Sequence, residues 1–232
     1  MEALILYFVL FFPGIYASPF PEWLASGVEG IRSIPFSSIR ELGRTLTYTI
    51  PSLALLWYLL SDKKGFSALS EVSINKQDMK RELLPFAIGL PGLIIIGIFV
   101  SLLASLFSDL SPPPLVEAPA GLVGWIVLVF SCLGTGYLEE SYFRYYLLSY
   151  RLPALPGSFI PETVFRILVS TALFSLCHLY EGPWGVVNAV MAGLLLSLLF
   201  IRFGSLHGIA WAHGAYNIFV YAMGSVIQGS GV

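Results

Sequence analysis

Long apolar runs separated by short polar stretches dominate the chain. Seven runs are candidate transmembrane helices: residues 3–16, 46–60, 83–107, 121–150, 162–180, 185–200 and 206–227. A helix needs roughly 20 residues to cross a hydrocarbon core of ~30 Å, so the short first run is expected to tilt or to use flanking aromatic residues. The pattern predicts an all-α fold, a polytopic membrane helix bundle of about seven to eight transmembrane helices.

Prolines and glycines predict where these helices are irregular. Pro51 is expected to kink the second helix near its start, and residues 89–92 (Gly-Leu-Pro-Gly) are expected to break the third. The fourth run has 30 residues, which is about 45 Å of helix and more than one bilayer core needs. It is expected either to protrude from the membrane or to break near Gly134 and Gly136.

Composition agrees with a membrane protein. The chain is 56% hydrophobic and 11% charged, whereas soluble domains carry about 25% charged residues. Its net charge of −2 and the lack of a basic patch argue against a nucleic-acid partner. Cys132 and Cys177 both lie in apolar runs, so they define neither a disulfide framework nor a metal-binding spacing. With no internal repeat, residues 1–232 are predicted to form a single integral-membrane domain.

The basic residues between the apolar runs predict the orientation. Loops 61–82, 151–161 and 201–205 fall on one side of a seven-helix topology and carry Lys63, Lys64, Lys76, Lys80, Arg81, Arg151 and Arg202. The opposite loops carry only Arg32, Arg40 and Arg44. Because basic residues are enriched in cytoplasmic loops, the first side and the N-terminus are predicted to be cytoplasmic. Residues 1–17 contain Glu2 but no Lys or Arg, which favours a retained first helix over a cleaved signal peptide.

A charged motif, Leu-Glu-Glu-Ser-Tyr-Phe-Arg at residues 138–144, interrupts the fourth run. A charge at membrane depth costs roughly 2.5–3.5 kcal/mol on insertion scales, so it indicates a functional site by default. Glu140 and Arg144 are four residues apart and can pair on one helix face, whereas Glu139 is offset by about 100°. Glu139 is therefore the carboxylate available for general-base chemistry. The alternative interpretation is an ion pair that only fixes helix packing.

Two further pairs of residues with the same spacing occur in later helices. Phe174 and His178 are four apart, and so are His213 and Asn217. A single intramembrane histidine often only bridges helices, but three helices that each carry such groups could move protons, bind a metal or donate hydrogen bonds. Their estimated depths agree only if helices tilt or break, so convergence of these residues is a prediction for the structure to test.

These three motifs, Glu139-Glu140-x-x-x-Arg144, Phe174-x-x-x-His178 and His213-x-x-x-Asn217, together resemble a known family. In this order on separate membrane helices they are similar to the CAAX protease and bacteriocin-processing (CPBP or Abi) family, the type II CAAX prenyl endopeptidases. The resemblance covers about residues 137–220, and it implies a catalytic core at 119–227 after N-terminal helices at about 1–110. Two positions depart from the family pattern: Tyr145 replaces a usual Gly, and His207 replaces a common Trp.

The resemblance implies a role for each motif. Glu139 would activate a water for attack on a peptide carbonyl, and His178 would orient that water or share its proton. Glu140 and Arg144 would hold Glu139 in place.

The third motif would complete the site. His213 and Asn217 would donate hydrogen bonds to the oxyanion of the tetrahedral intermediate. A zinc ion held by Glu139, His178 and His213 is also conceivable, since two His and one carboxylate form a known catalytic zinc set. Water activated by Glu139 without a metal would use the same residues, so both alternatives remain open.

The sequence therefore predicts an intramembrane endopeptidase that cuts a membrane-anchored peptide or protein in the lipid bilayer. The small chain favours a prokaryotic inner-membrane protein. One alternative is a proton- or ion-coupled transporter, but that class has paired discontinuous helices in two repeated halves, which the sequence does not display. The other is a catalytically inactive family member that acts as an immunity or binding protein.

Overall fold

The structure, a computed structural model, describes residues 2–16, 33–34, 36–64, 79–107, 115–151 and 161–229. The predicted all-α architecture is confirmed, with one small addition: strand β1 (Ser33–Ile34) pairs in parallel with β2 (Leu115–Val116). The helices are α1 (Glu2–Tyr16), α2 (Ser38–Arg44), α3 (Ile50–Lys64), α4 (Met79–Leu106), α5 (Gly121–Glu140), α6 (Glu162–Leu176), α7 (Gly182–Phe203) and α8 (Leu206–Gly229). Lys76, the one basic residue of 65–78, lies outside the described residues.

Two π-helical segments join or extend these helices. Thr45–Thr49 connects α2 to α3 without a break, and Ser141–Arg151 continues α5. Pro51 follows the first segment, and because it lacks an N–H it cannot make the usual bond to the residue four positions earlier. The irregularity predicted near Pro51 thus takes the form of a π segment just before it.

The breaks predicted at glycines in the third and fourth runs are wrong. α4 is one 28-residue helix that passes through Pro85 and Pro91, and α5 continues through Gly134 and Gly136. The glycines have another use, because they let helices approach closely in lipid. A Cβ at Gly89 would lie 3.0 Å from the Cβ of Ala212 on α8, so this glycine marks a helix contact.

Three helical segments are long and apolar enough to cross a membrane: Met79–Leu106, Gly121–Leu148 and Leu179–Phe203. The protein is an integral membrane protein. The predicted count of seven to eight transmembrane helices is not confirmed, although seven continuous helical stretches occur in the part of the chain that is described. The fifth run is shorter than predicted, because α6 ends at Leu176 rather than near Tyr180.

The later helices enclose the centre of the molecule. α8 packs most extensively against α4 and α5, and α7 packs against α4 and α6. The π extension of α5 is entirely buried over residues 141–148 and supplies the aromatic rings of Tyr142, Phe143 and Tyr146. α1 covers this region, where the hydroxyl of Tyr7 donates to the carbonyl of Leu173 at 3.0 Å. The charged motif therefore lies inside the bundle.

Candidate active site

The two adjacent glutamates lie where α5 changes from α-helical to π-helical. Glu140 is the last residue of α5 and Arg144 lies in the π extension. Both side chains are completely buried, and Nη1 of Arg144 donates to Oε1 of Glu140 at 3.0 Å. The predicted pairing is confirmed. A buried guanidinium is tolerated only when it is paired and hydrogen-bonded, so this contact fixes the geometry of the motif.

Arg144 also connects α5 to two other helices. Its Nη2 donates to the carbonyl oxygen of Gly193 on α7 at 3.3 Å, and its guanidinium carbon lies 4.4 Å from the centre of the Phe174 ring on α6. The aromatic face favours the cation. Gly193 allows this approach, because a Cβ there would lie 3.2 Å from the Phe174 ring. Sequence reasoning missed Gly193, whose only signal was its place among small residues suited to helix packing.

His213 brings α8 into contact with both glutamates. Its Nδ1 donates to Oε1 of Glu140 at 2.8 Å, and its Nε2 lies 3.6 Å from Oε2 of Glu139. One oxygen of Glu140 thus accepts from both Arg144 and His213. The side chain of His213 is only 7% exposed, so these contacts lie in a region with little water. The predicted convergence is confirmed for these four residues.

Glu139 differs from its neighbour in exposure and in partners. Its side chain is 16% exposed, against 0% for Glu140. Its Oε2 is buried and accepts no hydrogen bond from any described residue. Tyr48 and Tyr180 lie close enough to interact electrostatically with its charge, and neither was a predicted site residue. Glu139 therefore offers a free acceptor that is positioned to bind a water or a substrate hydrogen.

His178 lies just beyond the end of α6, in the turn before the 3₁₀ segment Leu179–Glu181. Its Nδ1 donates to the carbonyl of Phe174 at 2.8 Å, which leaves the lone pair of a neutral imidazole on Nε2. The rings of Phe174 and His178 are 4.6 Å apart, which confirms their predicted packing. The ring of Phe174 is also 5.9 Å from that of His213. His178 thus joins the other residues through this ring, without a hydrogen bond to them in the described structure.

Two further polar residues, Asn217 and His207, lie on α8. Asn217 follows His213 by four residues, is partly buried, and makes no side-chain hydrogen bond with the other described residues. Its amide remains available to a ligand. His207 lies one residue into α8, where its Nδ1 is 2.9 Å from the hydroxyl of Tyr137.

In the described structure, Glu139, His178 and His213 are not assembled as a metal site. Within the described ranges, no group of three His, Cys, Asp or Glu side chains could hold a metal ion. Nδ1 of His178 is bonded to its own helix and Nδ1 of His213 to Glu140. Only the Nε2 atoms of the two rings could therefore face a ligand.

A comparison with models of known protein families gives a match. The model of the Rce1-like type II CAAX prenyl endopeptidase family matches residues 121–219. This segment begins with α5, ends within α8, and includes all six predicted site residues. No curated protein and no solved structure gives a significant match. The family resemblance identified from the three motifs is confirmed over this segment.

Proposed function

We propose that the protein is an intramembrane endopeptidase of the CAAX-protease type, which hydrolyses a peptide bond in a membrane-anchored protein or peptide. The observation that carries the proposal is a buried oxygen of Glu139 that accepts no hydrogen bond from a described residue and lies 3.6 Å from Nε2 of His213. Both residues lie within the segment that the family model matches. We further propose a prokaryotic cell membrane with the N-terminus in the cytoplasm, on the basis of the basic loops.

Glu139 is the general base in this proposal. Its carboxylate takes a proton from a bound water while the water oxygen attacks the carbonyl carbon of the scissile peptide bond. The tetrahedral intermediate then collapses, the bond from carbon to nitrogen breaks, and Glu139 passes the proton to the leaving amine. The free Nε2 of His178 is available to orient the water or share its proton.

The oxyanion is stabilised from α8. Because Nδ1 of His213 donates to Glu140, only Nε2 can reach a substrate, and it donates a hydrogen bond when the imidazole is doubly protonated. Two carboxylates and one guanidinium surround this ring, so a positive charge on His213 balances the local charge. Asn217 supplies a second donor from the next turn. A donor of this kind is worth roughly 2.7–4 kcal/mol in the transition state.

Glu140 and Arg144 are positioning residues. Glu140 holds His213, and Arg144 holds Glu140 while it bonds to α7. Neither has to touch the substrate. Their complete burial suits a fixed framework that carries no proton during turnover.

Cleavage of a membrane-anchored peptide by the purified protein in lipid nanodiscs tests this proposal. Glu139→Gln keeps the shape of the side chain but removes the base, and His213→Ala removes a donor; each should lower the rate by about 10²–10⁴-fold. Glu162→Gln is the matched control, because Glu162 is a half-exposed helix residue that pairs with Arg166 at the start of α6. Undiminished cleavage by both site variants would contradict the mechanism.

Two further arms of the assay identify the substrate and the chemistry. Peptides with and without a prenylated C-terminal cysteine distinguish a CAAX substrate from another membrane-anchored peptide. Activity that persists in chelator supports water activation by Glu139 alone. Activity that chelator abolishes and zinc restores would replace this proposal with a metal-dependent reaction.

A further inference from the structure

Two adjacent side chains from the first turn of α4 hold the connection between α7 and α8. Nε of Arg81 donates to the carbonyl of Phe203 at 3.0 Å, and its Nη2 donates to that of Gly204 at 2.9 Å. These carbonyls end α7, where the backbone has no further helical partners and carries partial negative charge. Arg81 therefore caps the C-terminus of α7 from another helix.

Glu82 acts on the other side of the same connection. Its Oε2 accepts the backbone N–H of Gly208 at 2.9 Å and a short hydrogen bond from the hydroxyl of Ser205. Ser205 also caps α8 directly, since its Oγ accepts the N–H of Gly208 at 3.1 Å. The N-terminus of a helix carries partial positive charge, which favours this carboxylate. Arg81 and Glu82 thus match the opposite dipoles of two consecutive helices.

This contact is tight as well as polar. Glu82 is 7% exposed and Ser205 is 0% exposed, and a buried carboxylate is tolerated only when it is hydrogen-bonded. A Cβ at Gly208 would overlap the backbone carbonyl oxygen of Glu82. The first turn of α8 therefore lies directly against the first turn of α4, and the start of α8 has one defined position.

The position of the first turn of α8 determines where His213 lies in the site, because His213 follows Gly208 by only five residues on the same helix. At 1.5 Å per residue this is about 7.5 Å along the helix axis. His213 makes contacts of 2.8 Å with Glu140 and 3.6 Å with Glu139, which an axial slip or rotation of α8 would break. A misplacement of 1 Å in a reactive geometry can cost about 10²-fold in rate.

We propose that Arg81 and Glu82 form a clamp on the connection between α7 and α8, and that Glu82 is a positioning residue that sets the register of α8 and so places His213 against Glu139 and Glu140. This role rests on the proposed function only where it concerns turnover. The effect on the register of α8 is a property of the fold and can be measured without a substrate.

The test compares Glu82→Ala with Glu82→Gln. Alanine removes the acceptor for Gly208 and Ser205, while glutamine keeps an acceptor oxygen of the same reach. Glu162→Ala is the matched control, because it also removes a glutamate from the first turn of a helix, but one that contacts Arg166. Ser205→Ala is a milder variant, in case Glu82→Ala does not fold: it removes the two hydrogen bonds of the Ser205 hydroxyl but keeps the one from the N–H of Gly208 to Glu82.

The expected result has two independent parts. In hydrogen exchange, Glu82→Ala should speed the exchange of the amides of residues 206–213 by tenfold or more. Ser205→Ala should speed it by less, and Glu82→Gln and Glu162→Ala should leave it unchanged.

In the cleavage assay, Glu82→Ala should lower kcat by about 10- to 100-fold with KM within about threefold of the wild-type value, and Glu82→Gln should keep the wild-type kcat. The loss should disappear in a His213→Ala background, because both changes act through the same side chain.

Three results would overturn the clamp: unchanged exchange at the start of α8 in Glu82→Ala, an equal loss in Glu82→Gln, or a kcat loss that adds fully to that of His213→Ala. Failure of the proposed function is distinguishable, since a wild-type protein that cleaves no peptide would still give the exchange pattern. The register of α8 would then be set by the clamp in a protein with another activity.

Discussion

At the scale of single residues, the Arg144–Glu140 pair shows how the bundle accommodates charge. The guanidinium has a carboxylate, a backbone carbonyl and an aromatic face as partners. Removing one member of such a pair leaves the charge of the other buried without full compensation. This lowers the free energy of unfolding more than replacing both members by apolar residues does. The pair is therefore expected to be required for stability as well as for activity.

Arg144→Met should lower the free energy of unfolding by about 3–5 kcal/mol, because it removes the guanidinium that pairs with the buried Glu140 and leaves His213 to bond that carboxylate alone among the described residues. Thermal unfolding in one detergent measures this. Arg166→Met is the control, since Arg166 also belongs to an i,i+4 pair with a glutamate but is partly exposed; it should cost less than about 2 kcal/mol. The double variant Glu140→Gln/Arg144→Met should be more stable than Arg144→Met. A double variant as unstable as the single one would contradict the charge argument.

The spacing of residues in the sequence was sufficient to predict this pair, because residues four apart on a helix are neighbours. It was not sufficient to predict that His213 donates to Glu140 as well as approaching Glu139. His213 and Glu140 are separated by 73 positions, and their contact depends on how α8 packs against α5. Tyr180 was missed for the same reason. Spacing along one helix predicts local pairs, whereas tertiary packing decides which atoms of different helices meet.

At the scale of helices, the contact between α5 and α8 determines the shape of the site. A Cβ at Gly136 would lie 2.8 Å from the carbonyl oxygen of Ala210 and 3.0 Å from the backbone nitrogen of Gly214. Backbone atoms cannot move aside as a side chain can. Because of its length, the fourth apolar run was predicted either to protrude from the membrane or to break near this glycine, which is a poor helix former. In lipid the same property allows two helix backbones to approach closely, and the helix continues.

Gly136→Ala should therefore separate α5 from α8. Overpacking of this kind costs about 1–3 kcal/mol, and the displaced His213 should also lower the cleavage rate. Gly43→Ala is the matched control: it lies in α2, and an added Cβ would meet nothing within 4 Å. This variant should be neutral or gain up to about 1 kcal/mol from helix propensity. Thermal unfolding and peptide cleavage are measured for the two variants side by side. If Gly136→Ala and Gly43→Ala gave the same stability and the same cleavage rate, the close-contact argument would be refuted.

At the scale of the whole molecule, the contacts define two ends of the bundle. Arg81 meets Phe203 and Gly204 at one end. At the other end Phe107, just after α4, stacks on Trp184 at the start of α7, and β1 pairs with β2. α4 and α7 both run from one end to the other, and α8 runs from the Arg81 end to the end where Tyr221 contacts Phe36, just before α2. Arg202 and Ile39 therefore belong to opposite ends. The membrane-spanning segments lie between them, with exposed apolar side chains such as those of Ile95, Ile98 and Leu102 along α4.

The predicted orientation places the Arg202 end in the cytoplasm, since the loops on that side hold most of the basic residues. Single cysteines test this directly in a Cys132→Ala/Cys177→Ala background. A membrane-impermeant maleimide added to intact cells should label Ile39→Cys, whose native side chain is 87% exposed. It should label Arg202→Cys only after lysis. The reverse pattern would invert the protein in the membrane. Labelling of both cysteines in intact cells would contradict the assignment of Arg202 and Ile39 to opposite sides of the membrane.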